Sequence, residues 1–271
     1  MSIGTVMGLI FGIGLFLLSI VMATDKYIIF WSASSAILVL GGTLANAFIS
    51  YQGVYVLRAI KDCFTIYGHA KVNRNILVDE VRKMIGWTDI VRDKGIVGLD
   101  DHIKSDEPDE HMMAYGIDLV LKGYQPDVVR DLMSNTIQSE AKRANIRAQV
   151  LENMASNSPA WGMIGTLVGL VIMLDNMGGD PGKLGAGLAV ALLTTLYGVL
   201  FARLIFQPAG KKVRHREEIF QNRSYIVAEL FVMLAEQRKP IYIQDRIRSF
   251  LEPRDLPNVT GVPEAASTEQ A

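Results

Sequence analysis

The chain has 271 residues, of which 50% are hydrophobic and 20% charged, with a net charge of −1 and a mean hydropathy of +0.24. A positive average over this length is unusual for a soluble protein, so the apolar residues must be clustered. The single cysteine excludes a secreted disulfide framework, and 27 basic against 28 acidic residues exclude a basic nucleic-acid-binding protein.

Four long stretches of the chain contain no Asp, Glu, Lys or Arg. About 20 helical residues, at about 1.5 Å per residue, cover the roughly 30 Å hydrocarbon core of a bilayer. We therefore expect transmembrane helices over 3–22, 29–50, 155–176 and 184–206. The first is expected to remain in the protein rather than be cleaved as a signal peptide, because no basic residue precedes it and a second span follows directly.

The distribution of Lys and Arg predicts the orientation. The connections between spans one and two and between spans three and four contain only Lys26 and Lys183 as basic residues, whereas 51–157 and 208–271 are rich in them. Basic residues favour the cytoplasmic side of the membrane. Both large segments and both termini are therefore expected in the cytoplasm.

The segments outside the spans show helical periodicity and no strand alternation. Apolar residues recur at helical spacing in 76–86 and 112–133, the latter interrupted by a turn from Gly123 to Pro126, and 135–152 is predicted to be a charged helix running into span three. The predicted organisation is spans one and two in 1–50, a cytoplasmic helical domain in 51–154, spans three and four in 155–207, an amphipathic tail broken by Pro240 in 208–252, and a disordered tail in 253–271.

The predicted fold class is thus an all-α membrane protein with four transmembrane helices. A helical cytoplasmic domain lies between spans two and three, and a cytoplasmic helix follows span four.

Spans three and four contain stripes of small residues. These residues are Gly162, Gly165 and Gly169 in span three, and Gly187, Ala191, Gly198 and Ala202, together with Thr195, in span four. Such stripes let helices approach closely in lipid, where no hydrophobic force drives association. They predict either packing faces within the bundle or faces that pack around a central partner. They are not phosphate loops, because the glycines lie inside predicted spans.

Three threonines, Thr166, Thr194 and Thr195, border these stripes. Each hydroxyl either bonds a carbonyl of its own helix or lines a polar path for an ion or water. No span carries a carboxylate, His, Lys or Arg in its central part. If the chain conducts ions, a partner must supply the titratable group.

Two runs in the last two spans resemble a known family. PAWGMIGTLVGL (159–170) and AVALLTTLYG (189–198) are similar to the third and fourth spans of the MotA/PomA family of flagellar stator channel subunits. YGIDL (115–119) and DVVR (127–130) match the cytoplasmic segment of that family. The resemblance covers nearly the whole chain, and the fourth span favours the stator branch over the related TolQ and ExbB proteins, which generally have three spans.

The resemblance implies an ion-driven complex in the bacterial inner membrane, and not an enzyme. Five copies of the chain would surround two copies of a single-span MotB/PomB-like partner, whose Asp binds the transported ion. Ion passage would turn the homo-pentamer, and the cytoplasmic domain would push the rotor protein FliG. Membrane lipid would surround the complex, and neither a cofactor besides the ion nor a nucleic acid is expected.

Five positions match functional residues of the family, and Lys94 lies one position after a sixth. The coupling prolines are Pro159 and Pro208, and the rotor-facing charges are Arg92, Lys94, Asp100 and Asp101. Asp93 departs from the pattern, because some members have a second basic residue there. By local chemistry alone, the prolines are also ordinary helix-boundary residues, and the charges are also typical of a solvated face.

The coupling ion is predicted to be sodium rather than a proton. In a pentamer the three threonine hydroxyls would recur as rings, and such oxygens can replace part of the hydration shell of sodium. Threonines at these positions are also typical of sodium-driven, PomA-like members.

Two alternative functions to a flagellar stator are a TolQ/ExbB-like energiser of an envelope transducer and an ordinary transporter or adaptor. The transporter or adaptor would need charges at the bilayer midplane, which the spans lack.

Overall fold

The computed structural model describes residues 3–65, 74–103, 111–178 and 181–248. Within these ranges all regular structure is helical, as the sequence predicted. The elements are α1 (Ile3–Ala23), a 3-10 turn (Tyr27–Phe30), α2 (Ala33–Ser50), α3 (Gly53–Thr65), α4 (Arg74–Ile103), α5 (His111–Leu121), α6 (Pro126–Asp175), α7 (Pro181–Leu200), a π-helical turn (Phe201–Phe206), α8 (Gln207–Ala235) and α9 (Pro240–Arg248).

Within the described ranges, three helical stretches are long and apolar enough to cross a membrane. They are Tyr27–Ser50, Pro126–Asp175 and Leu184–Ala235, and they contain the predicted spans two, three and four. In α1 the apolar stretch Ile10–Ala23 is shorter than these three stretches. The first of the four predicted spans therefore stays a prediction.

The chain forms two compact units, each made of two separate segments. One contains 1–70 and 143–216, and the other contains 71–142 and 217–271. The linear domain boundaries expected from the sequence stay a prediction, and α6 is a single helix of 50 residues that passes through 154 without a break. The connection expected at 104–110 and the tail expected at 253–271 lie outside the described residues.

The first unit is held together by small and apolar side chains of α2, α3, α6 and α8. Its buried cluster is Ala47, Val56, Ala59, Cys63, Ala148, Val150, Leu151, Met154, Phe206, Ala209 and Val213. Asp62 of α3 also forms ion pairs with Arg147 of α6 at 3.0 Å and Arg216 of α8 at 3.7 Å. A largely buried carboxylate thus links three helices.

The second unit surrounds Phe231 of α8, which is completely buried among apolar side chains of α4, α5, α6 and α9.

The turn predicted after α5 is present, and Gly123 adopts φ 73° there, a conformation that glycine reaches without steric cost. The predicted break at Pro240 is also present, because α8 ends at Ala235 and α9 begins at Pro240.

Candidate ion-path site between α6 and α7

The stripes of small residues on α6 and α7 face each other within the chain. Gly162 lies beside Gly198, whereas Gly169 lies beside Gly187, so the two helices run in opposite directions. A Cβ added at Gly169 would lie 2.6 Å from the carbonyl oxygen of Gly187, and one added at Gly198 would lie 2.8 Å from that of Ser158. No side chain fits at such distances, so glycine is required for this backbone contact.

Thr194 occupies the closest part of the contact. It is completely buried, and a Cβ added at Gly165 would lie 2.4 Å from the Thr194 Cβ. Its hydroxyl lies within hydrogen-bond distance of two carbonyl oxygens of its own helix, those of Val190 at 3.0 Å and Ala191 at 2.9 Å. The Thr194 side chain therefore fills the space between the helices.

Thr166 and Thr195 are only partly buried. The Thr166 hydroxyl donates to the carbonyl of Met163 at 2.6 Å, and that of Thr195 makes a long 3.5 Å contact with the carbonyl of Ala191. A hydroxyl that donates its hydrogen keeps two lone pairs on the oxygen. At these two positions, bonding to the helix and coordination of a cation are therefore compatible.

The pair of helices offers neutral oxygens without a compensating charge. The segments 153–174 and 184–202 contain no Asp, Glu, Lys or Arg, and the described residues contain no cluster of three or more metal-ligating side chains. A dehydrated cation between these helices would need an anionic group. Neither of these two segments supplies that group.

A tyrosine that the sequence analysis did not single out joins α7 to the beginning of α2. The Tyr197 hydroxyl donates to the carbonyl of Phe30 at 2.6 Å and accepts from the amide N–H of Ser32 at 2.9 Å. Ser32 in turn caps α2, because its hydroxyl accepts from the amide of Ser35 at 3.3 Å. In the sequence, the sign of this contact is a tyrosine inside an apolar stretch.

Three asparagines form a second polar contact, between α2 and α6, that was not predicted from the sequence. The carboxamide oxygen of Asn153 accepts from Asn46 of α2 at 3.2 Å and from Asn157 of α6 at 3.0 Å. Hydrogen bonds between side chains hold helices in register where apolar contacts alone specify it poorly. Amides at the edge of apolar stretches were the sequence signal.

Both candidate coupling prolines lie within continuous helical structure. The local interpretation of Pro159 as a helix-boundary residue is wrong, because Pro159 lies inside α6. Since proline has no N–H, it leaves the carbonyl of Ala155, one turn earlier, without its normal helical donor. Pro208 is the second residue of α8 and directly follows the π-helical turn. π turns frequently mark functional positions in helices.

The four predicted rotor-facing charges lie on α4. Gly95 interrupts this helix with φ 71° and ψ −175°. Arg92 and Lys94 therefore precede the kink, and Asp100 and Asp101 follow it. The Lys94 side chain is exposed, while the side chains of the other three are outside the described residues. The kink at Gly95 therefore divides the predicted charge cluster between two helical segments.

The long apolar helices are those of a multi-pass membrane protein, and the comparisons give its family. The sequence profile of the MotA/TolQ/ExbB proton channel family matches residues 104–224. The uncharacterized protein YtxD of Bacillus subtilis is 34% identical over 190 residues, which make up 70% of this chain and 67% of that protein. The chain therefore belongs to the MotA/TolQ/ExbB proton channel family.

Relatives over nearly the full length place it in the MotA branch. Chemotaxis protein PomA of Vibrio alginolyticus is 29% identical over 252 residues, covering 93% of this chain and 96% of that protein. Motility protein A of Borreliella burgdorferi is 27% identical over 256 residues, covering 94% and 96%. The resemblance inferred from the motifs of spans three and four is confirmed.

The fold is shared with two solved structures. A chain of the C. jejuni MotAB structure superposes with a TM-score of 0.84 over 97% of this chain and 100% of that chain, at 19% identity. A chain of the flagellar MotAB stator complex from Bacillus subtilis gives 0.79 over 92% and 96%, at 17% identity.

Proposed function

We propose that this chain is the channel subunit of a flagellar stator, in which ion flow into the cell produces torque on the rotor. It would cross the inner membrane four times with both termini in the cytoplasm. The near full-length similarity to motility protein A and PomA supports this function. The concentration of Lys and Arg in 51–157 and 208–271 supports the orientation.

The observation that carries the proposal is that the helix contact offers hydroxyl oxygens but no charged side chain. The contact between α6 and α7 presents the hydroxyls of Thr166 and Thr195, but no Asp, Glu, His, Lys or Arg lies in 153–174 or 184–202. An aspartate on a single-span MotB/PomB-like partner would complete the ion site. The chain and its partner would each supply what the other lacks.

The uncovered surface of the helix pair supports an assembly with that partner and with further copies. Large apolar side chains are exposed on both helices, namely Leu167, Val171 and Leu174 on α6, and Leu188 and Leu192 on α7. Five copies around two partners would cover part of this surface. Mass photometry of the purified complex is expected to give this five-to-two ratio.

Sodium is the proposed coupling ion, with Thr195 as the main contributing hydroxyl. Its 3.5 Å contact with the carbonyl of Ala191 is the longest hydroxyl contact of the three threonines. An oxygen that is weakly engaged and partly exposed can turn toward a sodium ion, whereas that of Thr194 is enclosed. A proton would need only the partner's carboxylate and a water path.

The test is the rotation speed of single motors as external sodium is replaced by potassium at constant pH and membrane potential. We expect rotation to stop without sodium, and Thr195→Val to raise the sodium concentration that gives half-maximal speed. Thr43→Val is the matched control, because Thr43 is a buried hydroxyl of α2 that donates to Val39 at 2.7 Å. Undiminished rotation without sodium would overturn the ion assignment and leave the stator function intact.

A TolQ/ExbB-like energiser is the second candidate, because the matching family profile includes those proteins. The partner distinguishes the two functions. Co-purification with a single-span protein that has a peptidoglycan-binding domain supports the stator, and a TolR-like or TonB-like partner supports the energiser. Rotor contact would then involve FliG only in the first case.

Cysteine labelling tests the orientation. In a Cys63→Ser background, Asp180→Cys should react with a membrane-impermeant maleimide in intact cells, and Asp106→Cys should react only after permeabilisation. Labelling of Asp106→Cys from outside would reverse the proposed orientation.

A further inference from the structure

A groove in the first unit runs between α6 and the region where the π-helical turn continues into α8. Its volume is about 350 Å³, and it is lined by Glu152, Ala155, Ser156, Pro159, Arg203, Gln207 and Lys211. The last three residues are spaced four apart, so they form one helix face, and those of α6 form the opposite wall. This volume lies at the lower end of the range for ligand sites.

The charges around the groove favour an anion. Glu152 is engaged in an ion pair with Arg214. Arg203 donates one bond to the Gln207 carboxamide oxygen at 2.8 Å, which orients the guanidinium and leaves its other N–H donors available. Lys211 is exposed and makes no ion pair or side-chain hydrogen bond with the described residues. Two cationic groups thus line one groove whose carboxylate is already paired.

Arg203 lies at the boundary of the apolar region. It is the only Asp, Glu, Lys or Arg in 184–210, and the facing Pro159 lies in the uncharged segment 153–174. A cation at this depth is costly unless it reaches the headgroup layer or a partner of opposite charge. The phosphates of the membrane surface are at the depth that such an arginine reaches.

The surface beyond the groove is apolar. One turn further along the same helix faces lie Met163, which is 60% exposed, and Val199, which is 46% exposed. A soluble anion would not contact these side chains, whereas the acyl chains of a lipid would cover them. Cations at one end and apolar side chains at the other match an amphipathic ligand.

We propose that this groove is a specific site for an anionic phospholipid. The phosphate lies between the Arg203 guanidinium and the Lys211 ammonium, and the acyl chains extend over Met163 and Val199. The lipid neutralises the arginine of the span and fills the space beside Pro159. Since the lipid site requires only that the chain lies in a membrane, a test of the lipid site is independent of the stator function.

The test is a titration of the purified full-length protein with dioleoylphosphatidylglycerol, followed by native mass spectrometry, with dioleoylphosphatidylcholine as the neutral lipid. We expect a saturable phosphatidylglycerol adduct per chain. Arg203→Gln and Lys211→Gln should each weaken it about tenfold, because a charge-assisted contact to phosphate is lost. Arg203→Lys keeps the charge and should retain most of the binding.

The matched controls are Arg58→Gln and Lys61→Gln, which remove exposed cations of α3 outside the groove. They should leave the affinity unchanged; an equal loss in the controls would indicate general surface attraction and overturn the site. The protection of the buried Cys63 thiol verifies folding of each variant.

Two further results would overturn the proposal. If inorganic phosphate displaced phosphatidylglycerol at comparable concentration, the groove would be a site for a soluble anion. If Arg203→Gln bound phosphatidylglycerol normally but lost the single-span partner protein, the arginine would serve a carboxylate of that protein.

Discussion

The hydroxyl of Tyr197 donates a 2.6 Å hydrogen bond to the backbone carbonyl of Phe30, 167 residues earlier in the chain. The same oxygen accepts from the amide N–H of Ser32 at 2.9 Å. These two backbone groups lie where α2 begins, and helix ends have donors and acceptors without intrahelical partners. One phenol thus satisfies a helix start and attaches it to α7.

Tyr197→Phe should lower the stability of the detergent-purified protein by about 1–3 kcal/mol, because a donor and an acceptor lose their partner. The apparent melting temperature can be followed with a thiol-reactive dye, since Cys63 is buried in the folded state and is the only cysteine. Tyr51→Phe is the control, because the Tyr51 hydroxyl has no hydrogen bond to the described residues. Equal melting temperatures for the two variants would contradict the role of the Tyr197 hydroxyl.

Gly165→Ala should destabilise the contact of α6 with α7 by about 1–3 kcal/mol, the usual cost of overpacking. The new methyl group would meet the Thr194 Cβ at 2.4 Å, which is backbone-proximal and cannot move aside. Gly41→Ala provides the comparison, because a Cβ there meets nothing within 4 Å. The measurement is the same dye-based melting curve, and a Gly165→Ala curve that matches wild type would show that the helices separate easily.

Asp62→Asn should lower stability by about 3–5 kcal/mol, because it removes the largely buried negative charge that pairs with Arg147 and Arg216. Asp118→Asn removes an exposed carboxylate that pairs with Lys122 at 2.7 Å, and it should leave the melting temperature nearly unchanged. A similar small effect for both variants would show that the Asp62 cluster is well solvated.

Burial raises the pKa of the Cys63 thiol. A raised pKa in the folded state means that the folded protein holds the proton more tightly, so this contribution to stability is complete below the unfolded pKa and is lost as the pH rises through the folded pKa. Alkylation by iodoacetamide near pH 8 should be slower than in the unfolded chain, because the thiolate reacts. The loss of stability at alkaline pH should be smaller in Cys63→Ala, and an identical pH profile would contradict the assignment.

Reversal of Arg92, Asp100 and Asp101 together should impair swimming if α4 contacts charges on the rotor, and reversal of matching rotor charges should partly restore it. A single reversal should have a mild effect, since an exposed pair contributes only about 0–1 kcal/mol. Lys122→Glu, a charge reversal on the exposed surface of α5 and its turn, should not affect swimming. Normal motility of the triple variant would exclude this segment as the torque surface.

The amino-acid sequence by itself determined the helical class, the apolar spans two to four, the turn at Gly123, the break at Pro240 and the family. These features depend on local composition, periodicity and backbone conformation, which neighbouring residues set. The glycine stripes could be found in the same way, because their spacing is a property of one helix.

Only the tertiary structure decided which surfaces meet. It pairs Gly162 with Gly198, encloses Thr194 while leaving Thr195 partly exposed, and continues α6 through Pro159. Adjacent threonines are equivalent in composition, yet they differ by about 100° around a helix, so the rotation of α7 against α6 distinguishes them. That rotation is set by contacts between residues distant in the chain, such as Tyr197 and Phe30, which no local pattern records.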